Sequence, residues 1–267
     1  RNGAVALGFA ALALMLVLFA LIVRAVSIEF RSHAETPIAR RGWGMGFALG
    51  SLLPALLFGV ALGNLLRGIP LNAHGDFLGS FFSLLNVYAL FIGAVSLVML
   101  AAHGALYFTM KTADELAERG RAWARAALAA YLPLAVTAII VSAATQPHLL
   151  ANYLRLPLLW ALPALTIAAI LFAIAANRAG RDTAAFLASS ASIALLLLTA
   201  VAGLFPHLVP ASNNAAYSLT LANAAASPRS LGVMLTIAGI GLPIVAGYTI
   251  WVYRVFSGKV SAEGTYH

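Results

Sequence analysis

Seven stretches of this chain are long and apolar enough to cross a lipid bilayer as α-helices. Crossing the hydrocarbon core takes about 20 apolar residues, and each stretch is continuously apolar, without the alternation of barrel strands. Only 9% of residues are charged, against roughly 25% in soluble domains. The sequence therefore predicts an all-α integral membrane protein, a bundle of about seven transmembrane helices that forms one domain over residues 1–267. The predicted spans are roughly 4–26, 44–66, 82–109, 122–145, 156–176, 184–206 and 231–256.

Basic residues are divided unevenly between the two ends of the predicted bundle. The first, third and fifth connections, the C-terminal tail and the adjoining helix ends hold eleven Lys and Arg, whereas the other three connections hold three. Since basic loops stay on the cytoplasmic side, we expect the N-terminus outside and the C-terminus in the cytoplasm. The net charge of +8 thus indicates membrane orientation and no nucleic-acid partner. The eleven residues are Arg31, Arg40, Arg41, Lys111, Arg119, Arg121, Arg125, Arg178, Arg181, Arg254 and Lys259.

Two charged residues at the end of the first span are the candidate functional positions. Arg24 has two interpretations: a charge that faces a partner subunit or a proton path, or a side chain that snorkels to the interface. Glu29 is followed by Arg31, a pattern typical of a solvated, locally paired helix end. The alternative for Glu29 is a role in admitting protons.

Other polar and small residues within the spans have packing interpretations. His103, deep in the third span, is either a haem ligand or proton carrier, or a hydrogen-bonded residue between helices. Asn64 and Asn86 lie near helix ends and are expected to cap or cross-link helices. Gly59 and Gly63 have the four-residue spacing that favours close approach of two helices.

No catalytic constellation is visible in the sequence. Cysteine is absent, which excludes thiolate metal sites, and the spans contain no carboxylate pair or cluster of metal ligands. Three classes remain: a non-catalytic subunit, a transporter, and a seven-helix receptor or light-driven pump. Lys111 and Lys259 lie in polar segments, so no lysine is placed for a retinal Schiff base. A transporter would show broken helices in two repeated halves, and the scarcity of charge in the spans favours the subunit.

The segment Gly59–Leu71 resembles subunit II of the cytochrome bd-type quinol oxidases, including the cyanide-insensitive branch. The resemblance continues in order over essentially the whole chain. It begins at the third helix of that family, so the first two family helices have no counterpart in this sequence. The further matching stretches are Ile28–Arg31, Phe82–Asn86, His103–Ala105, Met110–Thr112, Leu159–Leu165, Phe205–Pro210, Tyr217–Thr220, Gly241–Pro243 and Tyr248–Thr249.

The resemblance implies a function that depends on a partner. In this family a haem-bearing subunit I holds haems b and d, oxidises quinol and reduces dioxygen to water in the bacterial cytoplasmic membrane. Subunit II completes the complex, holds a structural quinone in some members, and is joined by small accessory subunits in others. We therefore expect no catalytic residue, metal or haem ligand in this chain. Arg24 and Glu29 match charged family positions near the subunit contact. The alternative function is that of a multi-pass transporter.

Overall fold

The computed structural model describes residues 4–256 and 258–259, with side chains from Leu14 onward. Over these residues the chain consists of α-helices, short 3-10 turns and one small hairpin. The helices are α1 (Ala4–Ser32), α2 (Pro37–Arg67), α3 (Val87–Lys111), α4 (Asp114–Thr145), α5 (Ala151–Arg155), α6 (Ala161–Arg178), α7 (Asp182–Leu204) and α8 (Pro228–Val255). The 3-10 turns are Phe81–Leu84, Pro147–Leu150, Pro157–Trp160 and Ala215–Tyr217, and the antiparallel hairpin pairs β1 (His207–Val209) with β2 (Leu219–Thr220).

Six helices of the described region are long and apolar enough to cross a membrane. They are α2, α3, α4, α6 with its preceding 3-10 turn, α7 and α8. The prediction of an all-α membrane bundle is therefore confirmed. Helix α1 is 29 residues long, but its side chains before Leu14 lie outside the described part of the chain.

The helices run alternately between two ends of the bundle. The basic end holds the α1–α2, α3–α4 and α6–α7 connections, and the opposite end holds residues 68–86, 146–160 and 205–227. At the basic end α4 begins at Asp114, inside a polar segment that composition alone suggests to be a loop. An exposed Glu115–Arg119 contact of 2.6 Å at i,i+4 spacing accounts for part of this extension.

Helices α2 and α3 approach each other closely through glycine. A Cβ atom placed on Gly59 would lie 2.5 Å from the Ser96 Cβ and 2.7 Å from the Gly93 Cα. A Cβ on Gly63 would lie 2.7 Å from the Ala89 Cα. The small-residue spacing in α2 is thus used for direct contact between two helix backbones, as expected.

The main cluster of buried apolar side chains lies among α3, α4, α6 and α7. Its buried side chains include Leu106, Leu128, Tyr131 and Ile170, each no more than 1% exposed. Many neighbours are alanines, which bring the helix axes close and leave little space between them. In lipid this van der Waals contact replaces the hydrophobic driving force of a soluble core.

The connections at the opposite end are joined by asparagine side chains. Asn213 accepts from the Leu71 backbone N–H at 3.0 Å and donates to the Leu71 carbonyl at 2.8 Å. Asn64 donates to the carbonyls of Val60 and Leu84, and Asn86 donates to the Asn64 side-chain oxygen at 2.9 Å. Asn86 also caps α3, so the expected capping and cross-linking are confirmed.

Helix α8 differs from the other long helices because none of its side chains is buried. It meets the bundle at the basic end, where the Lys111 ammonium donates to the Phe256 carbonyl at 3.3 Å. Large apolar side chains such as Leu235, Leu242 and Trp251 are at least 60% exposed. The apolar faces of α8 are therefore available to lipid or to another protein.

Candidate functional site

An apolar crevice of about 110 Å³ opens near the opposite end of the bundle. Its walls come from α2, α3, α4 and α7, with Trp160 and Pro163 on the α6 side. Small residues, among them Ala138, Ala143 and Gly203, leave this space open. The crevice is smaller than the dry cavity of roughly 150 Å³ that binds benzene, so it matches a segment of an isoprenoid chain or the edge of a ring that stays partly in the open mouth.

Ser142 brings a hydroxyl to the crevice wall. Its Oγ lies 2.7 Å from the Tyr88 hydroxyl, and either oxygen can donate in this contact. When Tyr88 donates, the proton of Ser142 is free for a carbonyl oxygen in the crevice, because Ser carries one donor and two lone pairs. A carbonyl-bearing ring therefore has a donor within an otherwise apolar wall.

Three side chains hold residues 146–155 against the bundle and so shape the crevice. The His148 Nε2 lies 2.9 Å from the Leu66 carbonyl. The Tyr153 hydroxyl donates to the Thr199 carbonyl at 2.7 Å, and Asn152 donates to the Ala202 carbonyl at 2.9 Å. Burial lowers the pKa of His148, so its ring is neutral at pH 7 and donates through Nε2. Burial also raises the pKa of Tyr153, whose hydroxyl therefore stays protonated.

A buried ion pair joins α4 to α7 at the basic end. The Arg121 guanidinium donates to both Asp182 oxygens, from Nε and Nη2, at 2.9 Å each. Arg121 also contacts Glu118 at 2.6 Å, and the Lys259 ammonium lies 3.6 Å from Asp182. The Asp182 side chain is 7% exposed and that of Arg121 is 24% exposed. The bidentate geometry is the one that Arg and carboxylate groups favour.

The His103 side chain is hydrogen-bonded to α7 within the bundle. Its Nδ1 lies 2.7 Å from the Ser189 Oγ, and its ring stacks on Phe186 with 4.7 Å between ring centroids. Because the Ser189 hydroxyl donates to the Phe186 carbonyl, Nδ1 carries the proton that the Ser189 oxygen accepts. These contacts favour the interpretation of His103 as a packing residue.

Arg24 and Glu29 do not come together with each other or with the crevice. The Arg24 guanidinium lies 5.7 Å from the ring centroid of Phe47, and its side chain is exposed on the α1 surface. Glu29 is exposed too, and its carboxylate lies 3.7 Å from the His33 Nδ1. Both residues therefore lie on an outward-facing surface of α1.

Within the described residues, no group of three or more His, Asp or Glu side chains could hold a metal ion. The spacing of residue types in the sequence did not indicate the crevice, because its walls are ordinary Leu, Ala and Gly. Nor did it indicate the partner of Asp182, which lies 61 residues away in sequence. The sequence offered one signal for that pair. Asp182 is a single acidic residue at the start of an apolar span, and the predicted connection between the third and fourth spans, at the same end of the bundle, is rich in Arg.

Comparison with known proteins places the chain in one family. The family model described as Cytochrome bd terminal oxidase subunit II matches residues 3–256. The chain is 34% identical to the Probable cytochrome oxidase subunit 2 of Haemophilus influenzae and 34% identical to the Cytochrome bd-I ubiquinol oxidase subunit 2 of Escherichia coli K12. Each alignment covers 94% of this chain and 74% of the relative.

A more distant relative gives the same result. The Cytochrome bd ubiquinol oxidase subunit 2 of Bacillus subtilis is 30% identical over 92% of this chain and 72% of its own length. The match thus extends across the membrane bundle, and the resemblance found in the sequence is confirmed. The chain belongs to the family of cytochrome bd terminal oxidase subunit II.

Proposed function

We propose that this chain is subunit II of a cytochrome bd-type terminal oxidase in a bacterial cytoplasmic membrane. In this role it supports quinol oxidation and the reduction of dioxygen to water by a haem-bearing subunit I. The observation that carries the proposal is the family match over residues 3–256. A transporter is not favoured, because the relatives that cover most of the chain are named as oxidase subunits.

The redox chemistry of the complex is assigned to the partner. Subunit I would hold haems b and d, and small accessory subunits would join the pair. This assignment is supported by the family match, which makes this chain the second subunit of a cytochrome bd terminal oxidase. The chain would then contribute shape, a dry environment and a quinone position, without a catalytic residue of its own.

We propose further that subunit I covers the outward surfaces of α1 and α8. Arg24 and Glu29 would lie near this contact or near a proton path, as their exposure on α1 allows. An exposed charge within a membrane span is costly unless it meets another protein, a polar cavity or the interface. Helix α8 has no buried side chain within this chain, so its apolar surface is also free to pack against subunit I.

Co-purification tests the main proposal. A tag on this chain should bring down a haem-containing partner, and the complex should consume oxygen when quinol is supplied. The chain purified alone should show no haem Soret band. A stoichiometric Soret band on the isolated chain that disappears in His103→Ala would contradict the assignment of the haems, and a haem-free preparation with transport activity would contradict the function.

We propose that residues 1–267 form one transmembrane domain with an external N-terminus and a cytoplasmic C-terminus. The connections rich in Lys and Arg lie at the same end of the bundle as the C-terminal end of α8, and such connections stay in the cytoplasm. A reporter that is active only in the cytoplasm should therefore be active when fused after His267. Activity of a periplasmic reporter at the same position would reverse the orientation.

We also propose that the crevice takes part of an isoprenoid quinone. The carbonyl-bearing edge of the ring or one prenyl unit would enter it, and the Ser142 hydroxyl would donate to a ring carbonyl at the crevice wall. The rest of the prenyl tail would extend through the open mouth into lipid. The quinone would act here as a structural element, since the described lining contains no carboxylate, histidine or lysine to exchange protons with it.

Filling the crevice should remove this quinone. Ala143→Phe places a ring in the space. We expect the purified complex to lose about one quinone per complex, measured by extraction and chromatography with the haem content as the reference. Ser142→Ala removes one hydrogen bond worth about 0.5–1.5 kcal/mol, which corresponds to a retention about two- to tenfold weaker. The control is Ala130→Phe on the exposed face of α4. An unchanged ratio in Ala143→Phe would rule out this position for the quinone.

A further inference from the structure

A basic recess lies where α1 ends and α2 begins. It has a volume of about 360 Å³ and is lined by Arg31 of α1, Glu35 of the connection, and Pro37, Arg40, Arg41 and Gly44 of α2. The crevice described above is apolar and lies at the opposite end of the bundle. The two sites are therefore separate, with different chemistry.

The charge of the recess is not neutralised by the protein. Arg31, Arg40 and Arg41 form no salt bridge with any residue that the structure describes, whereas Arg119 and Arg121 at the same end of the bundle do. Glu35 is the single carboxylate in the lining. Three guanidinium groups against one carboxylate leave an excess of about two positive charges for a ligand.

The helix that begins in the recess adds to this potential. Pro37 is the first residue of α2, Thr36 caps it by accepting from the Ala39 N–H, and its first turn contains no acidic residue. The N-terminus of a helix carries a partial positive charge and favours phosphate or carboxylate groups. Together with the three arginines, this end of α2 is suited to an anion with several acceptor oxygens.

The surroundings of the recess are apolar and lie at interface depth. Trp43 contacts Phe30 with 5.0 Å between ring centroids, and Trp is enriched at the level of lipid headgroups. Ile28, Ile38 and Met45 are 56%, 83% and 65% exposed around it. A soluble anion would gain nothing from these side chains, whereas acyl chains attached to a phosphate would pack against them.

We propose that the recess binds the phosphate headgroup of an anionic phospholipid of the surrounding membrane. Arg31, Arg40 and Arg41 contact the phosphate, and the exposed apolar residues of α2 contact the acyl chains. Basic pockets between transmembrane helices are suited to such headgroups. The site serves to fix the α1–α2 hairpin in the membrane, and it does not depend on the oxidase function proposed above.

Native mass spectrometry of the full chain in detergent tests the site. Phosphatidylglycerol should bind to the wild-type chain more tightly than phosphatidylcholine of the same acyl composition. The triple variant R31Q/R40Q/R41Q should bind phosphatidylglycerol roughly 100-fold more weakly, because each of the three basic residues contributes a factor of about five. The control R125Q/R178Q/R181Q removes the same charge from exposed arginines at the same end of the bundle and should bind as the wild type does.

A second variant keeps the test independent of folding defects in the triple variant. Glu35→Gln removes the carboxylate of the recess, changes one exposed side chain and should strengthen phosphatidylglycerol binding. Equal weakening in the triple variant and its control would assign the effect to overall charge and overturn the proposal. Competition by millimolar inorganic phosphate as effective as competition by the lipid would make the recess a free-anion site and would also overturn it.

Discussion

Replacing Arg121 with methionine is expected to lower the free energy of unfolding by about 3 kcal/mol. Breaking one side of a buried ion pair costs about 3–5 kcal/mol, because the remaining charge stays buried without its partner. We expect the lower end of this range, since Arg121 keeps 24% of its side-chain exposure and Lys259 lies 3.6 Å from Asp182. Unfolding of the full chain in detergent micelles, followed by circular dichroism against denaturant, measures the difference.

Arg119→Met provides a matched control. Arg119 also contacts a carboxylate, that of Glu115 at 2.6 Å, but both side chains are more than 60% exposed. An exposed pair at this spacing contributes about 0.3–0.5 kcal/mol. The double variant R121M/D182L should recover most of the loss, because it removes both charges. Equal effects of Arg121→Met and Arg119→Met would show that the buried pair has no special role.

Replacing Gly59 with valine is expected to separate α2 from α3. A Cβ at this position would lie 2.5 Å from the Ser96 Cβ and 2.9 Å from the Ile92 carbonyl oxygen, so neighbouring backbone has to move. Overpacking of this kind costs about 1–3 kcal/mol and occasionally more. The same unfolding measurement should show a loss of about 3 kcal/mol, with a smaller loss for Gly59→Ala.

Gly104→Val is the control for the glycine prediction. Gly104 lies in α3, is exposed, and has no atom within 4 Å of a Cβ placed on it. Because both glycines are in helix interiors, the change in helix propensity is the same and cancels in the comparison. A loss in Gly104→Val as large as that in Gly59→Val would attribute the effect to valine itself, and close helix contact would no longer explain it.

The sequence was sufficient for the bundle and for its family, because both depend on long continuous patterns. Apolar runs of about 20 residues predict membrane helices by length alone, and the Gly59–Leu71 segment carried the resemblance that the family match confirmed. The spacing of Gly59 and Gly63 also predicted a close helix contact. In each case neighbouring residues in the sequence contain the whole signal.

The candidate site was less predictable, because its contacts join residues far apart in the chain. His148 bonds to the Leu66 carbonyl across 82 positions, and Tyr88 meets Ser142 across 54. No local pattern specifies such partners. The start of α4 at Asp114 was hidden for a different reason: polar residues that suggest a loop also stabilise a solvated first turn through pairs at i,i+4 spacing.

Helix α8 illustrates how insertion and association can be separate steps of membrane-protein folding. Because none of its side chains is buried within the chain, its stability in the bilayer comes from the transfer of apolar residues into lipid and from its internal hydrogen bonds. We therefore expect α8 to contribute little to the free energy of association of the other helices. Among the described residues, polar contacts near its C-terminal end, such as that between the Lys111 ammonium and the Phe256 carbonyl, connect it to the bundle; they join the two at a few points without a packed interface.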